Sequence, residues 1–237
     1  QNRIRTEDFE DDPGWTGYNN VLNPPVTVYA NYHRFTWRTT TYLGSAGELS
    51  NVLSNDSDGD GGYYADTDFT TALDLNDHLV FSGRFRGVSY TGSGGLPKGR
   101  IGFGDKSGVS RLGFEFGMYP GGWKRFRPVL VLNDGTTRTA TGIANTTGIF
   151  APLDFSCEYD PSGNGGNGSM ALTIDGTDYV INLQPGDKAK ASFDSCGVFC
   201  HWDQNPSYDH CYHRYYFALD DLTYTVPPPG GMILRVQ

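Results

Sequence analysis

A chain of 237 residues is long enough for one all-β domain with a sizeable core, since such domains run undivided to about 200–250 residues. Its net charge of −9 argues against bulk nucleic-acid binding, which needs basic surface to release counterions, and no run of about eighteen apolar residues is present to insert into a membrane. Thirty-two glycines, thirteen prolines and 14% aromatics, set between short apolar runs, exclude a helix bundle and point to a β-sandwich or barrel.

The chain opens at Gln1 with an acidic segment, QNRIRTEDFEDDPGWTGYNN, that turns at Pro13-Gly14 and has no hydrophobic leader; a processed secreted protein or a trimmed chain is expected. Four cysteines, an even number, favour an oxidising compartment and allow three pairings. Between Val21 and Thr41 lie two strand-like runs, and in HRFTWR the two-residue period puts His33, Phe35 and Trp37 on one face. GSAGELSNVLS, centred on Glu48, reads as a further strand. The loop after it carries Asp56, Asp58, Asp60 and Gly61 in D-x-D-x-D-G spacing, which wraps carboxylate oxygen around calcium. Its twelfth position is Thr67 instead of a bidentate Glu, so a solvated turn is the competing reading.

From Leu79 to Leu132 four strands alternate with glycine turns. Alternation places Arg84 and Arg86 opposite Phe81 and Phe85, places Arg111, Gly113 and Glu115 opposite Leu112, Phe114, Phe116 and Met118, and groups Trp123, Arg125 and Arg127. If these strands are neighbours, one sheet face carries five arginines, a tryptophan and one carboxylate. Such a face is either a convex surface of exposed ion pairs or a concave floor for an anionic ligand, with guanidinium forks on carboxylate or sulfate and Trp123 under a sugar ring. Further on, DFSCEYDPSGNGGNGSMALTIDGTDYVINL reads as a strand, a wide turn and a hairpin with Asp175-Gly176 at its tip, the dipeptide suited to a type I′ turn.

Phe193 to Thr225 reads as two strands, FDSCGVF and YYFALDDLTYT, joined by CHWDQNPSYDHCYHR. Cys200, His201, His210, Cys211 and His213 could hold zinc or copper, although their spacing fits no standard zinc pattern. A Cys200–Cys211 disulfide would close this connection with a gain of roughly 2 to 3 kcal/mol, leaving Cys157 for Cys196 and making Trp202 and Tyr208 a rigid rim able to stack on sugar. The single domain is expected over residues 1–225, with a Pro/Gly-rich linker or tail at 226–237 that leads to a further module or to self-assembly.

Three segments, EYDPSGNGGNGSMALTIDGTDYVINL, FDSCGVF and FALDDLTYT, resemble the closing strands of the concanavalin A-like lectin and glucanase superfamily, and DFEDDPGWTGYNN is similar to the first strand of its secreted bacterial members. The resemblance covers about half of the chain. It implies a jelly roll of two antiparallel sheets, a concave carbohydrate-binding face and an extracellular role with polysaccharide. It also implies a structural calcium ion where first and last strands meet, with Glu10 or Asp12 and Asp221 as ligands. The glucanase pattern E-x-D-x-x-E is absent, and of the alginate-lyase-like strands only GELS at Gly47 to Ser50 has an echo.

Binding of an anionic polysaccharide through Arg84, Arg86, Trp123, Arg125 and Arg127 is therefore the first expectation. An endo-acting hydrolase using Glu48 and Glu115, or a lyase with His33 or Tyr64 as base and an arginine neutralising the uronate, is the alternative. A structural or surface-assembly subunit is the third class.

Overall fold

The computed structural model describes residues 1–18, 34–44, 46–54, 61–91, 98–106, 109–119, 123–140, 144–145, 151–201 and 214–229. Its first strands are β1 (Arg3–Glu7), β2 (Thr16–Tyr18), β3 (Arg34–Arg38), β4 (Glu48–Ser54), β5 (Gly61–Ala65) and β6 (Leu73–Asp74). The central ones are β7 (Leu79–Thr91), β8 (Lys98–Gly104), β9 (Arg111–Tyr119), β10 (Trp123–Val131), β11 (Thr137–Thr139) and β12 (Ala144–Asn145). Last come β13 (Leu153–Asp160), β14 (Ser169–Ile174), β15 (Thr177–Asn182), β16 (Ser192–Phe193), β17 (Ser195–His201) and β18 (Arg214–Val226). None of the described residues is α-helical, so none forms a helix able to cross a membrane.

Two antiparallel sheets of eight strands result. The first runs β15-β14-β13-β7-β18-β4-β3, with β1 beside the far half of β18; the second runs β11-β10-β9-β8-β17-β5-β2, with β12 beside β10. The short pair β6 and β16 stands apart. Strict alternation shows which face each strand buries: in β13, Phe155, Cys157 and Tyr159 are buried while Asp154, Ser156 and Glu158 are exposed. The sandwich is filled by phenylalanines reaching from both sheets, with ring centroids 5.8 Å apart for Phe81 and Phe103, 4.7 Å for Phe85 and Phe116, and 4.8 Å for Phe114 and Phe155. Each such fully buried side chain stabilises the fold by about 1.5–3 kcal/mol.

Two local devices keep this pattern in register. The β14–β15 hairpin turns on Asp175 and Gly176, both left-handed at φ 51° and 71°, as a type I′ turn requires. In β18 the pairing with β7 shifts between Asp220 and Thr223, and Asp221 takes φ 52°. This bulge changes the strand's parity, so that Leu219 and Leu222 both enter the core.

The expected Cys157–Cys196 disulfide does not form; both are free, buried thiols. Cys157 stands on β13 of the first sheet, whereas Cys196 belongs to β17 of the second. Facing sheets pack about 10 Å apart, beyond the roughly 7 Å that a disulfide spans between Cα atoms. Burial pushes both thiols well above their ordinary range. The Cys200–Cys211 pairing involves Cys211, which lies outside the described residues.

Candidate ligand-binding face

The outward face of the second sheet is sheltered along its middle strands, and that of the first is covered around Glu48 by the segment from Thr40 to Leu43 and open on β13. On β13 of the first sheet outward residues are open to solvent, with Asp154 at 89% side-chain exposure, although Glu48, Ser50 and Asp220 on β4 and β18 are fully buried; on the second sheet Phe199 is 3% exposed and Glu115 2%. Glycine is the local cause. The registers set Gly197 of β17, Gly102 of β8 and Gly113 of β9 side by side. A Cβ at Gly113 would collide with the Ile101 carbonyl, and one at Gly102 with that of Leu112, so the strands approach here as only glycine permits.

The space free of side chains is paved with rings. Tyr64 and Phe199 stack with centroids 5.5 Å apart and planes at 20°, and a Cβ at Gly104 would lie 2.6 Å from the edge of the Phe199 ring. The Arg111 guanidinium sits 4.2 Å above the Phe199 centroid, a cation–π contact, while its Nη1 donates to the carbonyls of Asp105 and Ser110 at 2.8 and 2.7 Å.

Beside this pavement, one register row reads Phe199, Arg100, Glu115, Arg127 on four neighbouring strands. Arg100 donates from Nε and Nη2 to Glu115 Oε2 at 3.3 and 3.2 Å. Arg127 holds Oε1, with Nε at 3.0 Å and Nη2 at 2.8 Å. Two guanidiniums share one carboxylate, so the cluster keeps a net positive charge in a protein that is acidic overall. Two residues further along the strands His201 pairs with Lys98, and Arg125 pairs with Gly117 on one side and Asn145 on the other; beyond these Tyr119 lies opposite Trp123.

The expected face of five arginines thus divides between the two sheets. Arg111, Arg125 and Arg127 belong to the second sheet with Trp123 and Glu115, but Arg84 and Arg86 sit on β7 in the first. Arg84 approaches Asp154 at 3.6 Å and Asp221 at 3.8 Å, and Arg86 donates to the Tyr42 carbonyl at 2.5 Å. Period two shows which residues share a strand's face; it does not show to which sheet the strand belongs.

Glu48 and Glu115 are not a catalytic pair. Leu49 enters the core, so Glu48 faces outward from the first sheet, where the segment from Thr40 to Leu43 closes over it. Thr40 Oγ1 and the Leu43 amide donate to its two oxygens at 2.5 and 3.0 Å. Sheets pack about 10 Å apart, so carboxylates on opposite outer faces exceed the ~5–9.5 Å separations of glycosidases. Tyr64 stacks on Phe199 in the second sheet, and burial, followed by the nearby Asp66, raises its phenol above the ordinary range.

Glu10, Asp12 and Asp221 do not converge either. Asp12 Oδ1 accepts from the Gly14 amide and the Tyr63 hydroxyl, Asp221 faces Arg84, and among the described residues no group of three His, Cys, Asp or Glu is placed to hold a metal ion. His33, Asp56, Asp58, Asp60, Trp202 and Tyr208 lie outside the described residues. Sequence reasoning missed Arg100 and Phe199. The alternation that sorts the neighbouring strands also sorts KGRIGFG, setting Arg100 in line with Gly102 and Gly104 and marking it as an outward cation on a glycine-lined face.

Among solved structures, the chain resembles a variant of the family 7 alginate lyase A1-II′ in complex with substrate, at 13% identity and TM-score 0.52, over 83% of each chain. It also resembles the binding domain of botulinum neurotoxin serotype C1, at 9% identity and TM-score 0.50, over 89% of this chain and 43% of that one. The carbohydrate recognition domain of Emp47p is similar at 14% identity and TM-score 0.45, over 90% of this chain and 95% of the other. No family model and no curated protein matches the chain. At these identities the likeness concerns the fold, which is a jelly roll of two antiparallel sheets. More particularly, it is the concanavalin A-like jelly roll.

Proposed function

We propose that this protein binds an anionic polysaccharide, in an extracellular setting, on the outward face of its second sheet. The observation that carries this reading is the Arg100–Glu115–Arg127 cluster, a fixed and net positive group of forked donors beside a ring-paved, sheltered surface. Guanidinium forks match the geometry of sugar carboxylates and sulfates, and the stacked Tyr64 and Phe199 rings lie beside them on the same face. Similarity in fold to an alginate lyase crystallised with substrate agrees with this ligand class.

Binding without catalysis stands ahead of hydrolysis because Glu48 and Glu115 occupy opposite outer faces. Incubation with neutral, uronate and sulfated polysaccharides, scored for retention, new reducing ends and the ultraviolet absorbance of unsaturated uronates, is the test. Retention on the anionic polymers alone is the expected result. New reducing ends without absorbance would replace the proposal with hydrolysis, and absorbance would replace it with elimination. Absence of retention on every polymer would overturn it, and self-association in that case would favour an assembly subunit.

A further inference from the structure

The two guanidiniums that share Glu115 are not equivalent. The Arg100 side chain is 13% exposed and that of Arg127 27%, so Arg127 is the one that solvent, and hence a ligand, reaches more readily. Its Nε and Nη2 are turned to Glu115 Oε1, which leaves Nη1 and the far edge of the fork directed away from the carboxylate. Arg100 holds the other oxygen of the same carboxylate, so Glu115 is itself clamped and passes that rigidity to Arg127.

Building on the polysaccharide-binding reading, we infer that Arg127 is the specificity-determining contact for a sugar oxyanion, carboxylate or sulfate, and that Glu115 with Arg100 is the positioning pair that holds its fork ready. Glu115 is thus placed to aid anion binding although it is itself an anion. Local charge alone predicts the opposite, because removing a carboxylate beneath two guanidiniums makes the face more positive and should tighten a polyanion. Positioning predicts weaker binding, because an unheld arginine must be ordered at the moment of association.

The sign of the Glu115→Gln effect therefore separates the two accounts. Dissociation constants would be measured for polygalacturonate, chondroitin sulfate and a neutral β-glucan with the wild type, Glu115→Gln, Arg127→Ala and Arg127→Lys. Arg127→Ala is expected to weaken both anionic polymers about tenfold or more and to leave the neutral one within about twofold. Arg127→Lys, which keeps the charge and loses the fork, is expected to recover little of that loss. Glu115→Gln is expected to weaken the anionic polymers roughly tenfold. Unchanged or tighter binding by Glu115→Gln, full binding by Arg127→Lys, or equal losses on neutral and anionic polymers would each overturn the inference. If Glu115→Gln fails to fold by near-ultraviolet circular dichroism, the two Arg127 variants, altered at a partly exposed side chain, decide alone. Wild-type protein that binds no polymer would overturn the functional proposal itself, whereas wild-type protein that binds neutral and anionic polymers alike would overturn only this inference.

Discussion

Tyr224 lies fully buried, its ring parallel to that of Phe69 with centroids 6.5 Å apart, and among the described residues its hydroxyl has no hydrogen-bond partner. Tyr159 is equally buried, but its hydroxyl donates to the Leu75 carbonyl at 2.8 Å. Leaving a buried hydroxyl unsatisfied costs about 1–3 kcal/mol, whereas a satisfied one contributes about 1 kcal/mol net. The same substitution should therefore act in opposite directions at the two sites. Tyr224→Phe is expected to leave stability unchanged or raise it by about 1 kcal/mol, and Tyr159→Phe to lower it by about 1 kcal/mol. Denaturant midpoints of the two variants, with unchanged m-values, check this.

At the scale of elements, the glycine row of the second sheet is the feature least tolerant of change. Gly113→Ala would drive a methyl group into the Ile101 carbonyl, and backbone cannot yield as a flexible side chain would. A loss of about 1–3 kcal/mol is expected, together with weaker ligand binding, because Arg100 and Glu115 stand on the same two strands. Asp154→Ala, at an exposed position of the first sheet, should stay within about 0.5 kcal/mol and serves as the control. Chemical denaturation of both variants tests the contrast. Much of this architecture was legible beforehand. Period two located the four strands between Leu79 and Leu132, and Asp175-Gly176 marked a hairpin tip. Sheet membership was not legible, because β7 leaves for the first sheet while β8, β9 and β10 pair in succession in the second, and nothing in the intervening glycine turns records that departure. Glu48 misled for a related reason: a buried carboxylate serving two loop donors and one facing a ligand look identical in sequence.

For the molecule as a whole, burial raises the same class of group repeatedly. Desolvation pushes up the phenols of Tyr63, Tyr64, Tyr159 and Tyr224 and the thiols of Cys157 and Cys196. In the folded state these groups keep their protons at a pH where the unfolded chain gives them up, so folding binds protons and stability falls as pH rises. Their contribution is fully present below about pH 8.5 and declines through the thiol and then the phenol range, near 8.5 and 10 in the unfolded chain. Thermal melts across this range should show a falling midpoint above about pH 8.5; a flat profile would contradict the buried assignments. Under native conditions Cys157 and Cys196 should resist a thiol reagent, and after denaturation without reductant both should react as free thiols, as peptide mapping can verify.

The place of β18 in the first sheet also sets a schedule. It lies between β7 on one side and β4 and β1 on the other, so the sheet is knit together by a strand that follows all its described neighbours in the chain. Until Arg214–Val226 has left the ribosome, β7 and β4 have no shared neighbour and β1 has nothing to pair with. The second sheet's strands precede β18 in the chain and are able to form first, leaving the phenylalanines meant for the sandwich uncovered during that interval. Folding of this domain is in that sense completed only once Arg214–Val226 has emerged, and its nascent chain passes through a stage when shielding from its neighbours matters most.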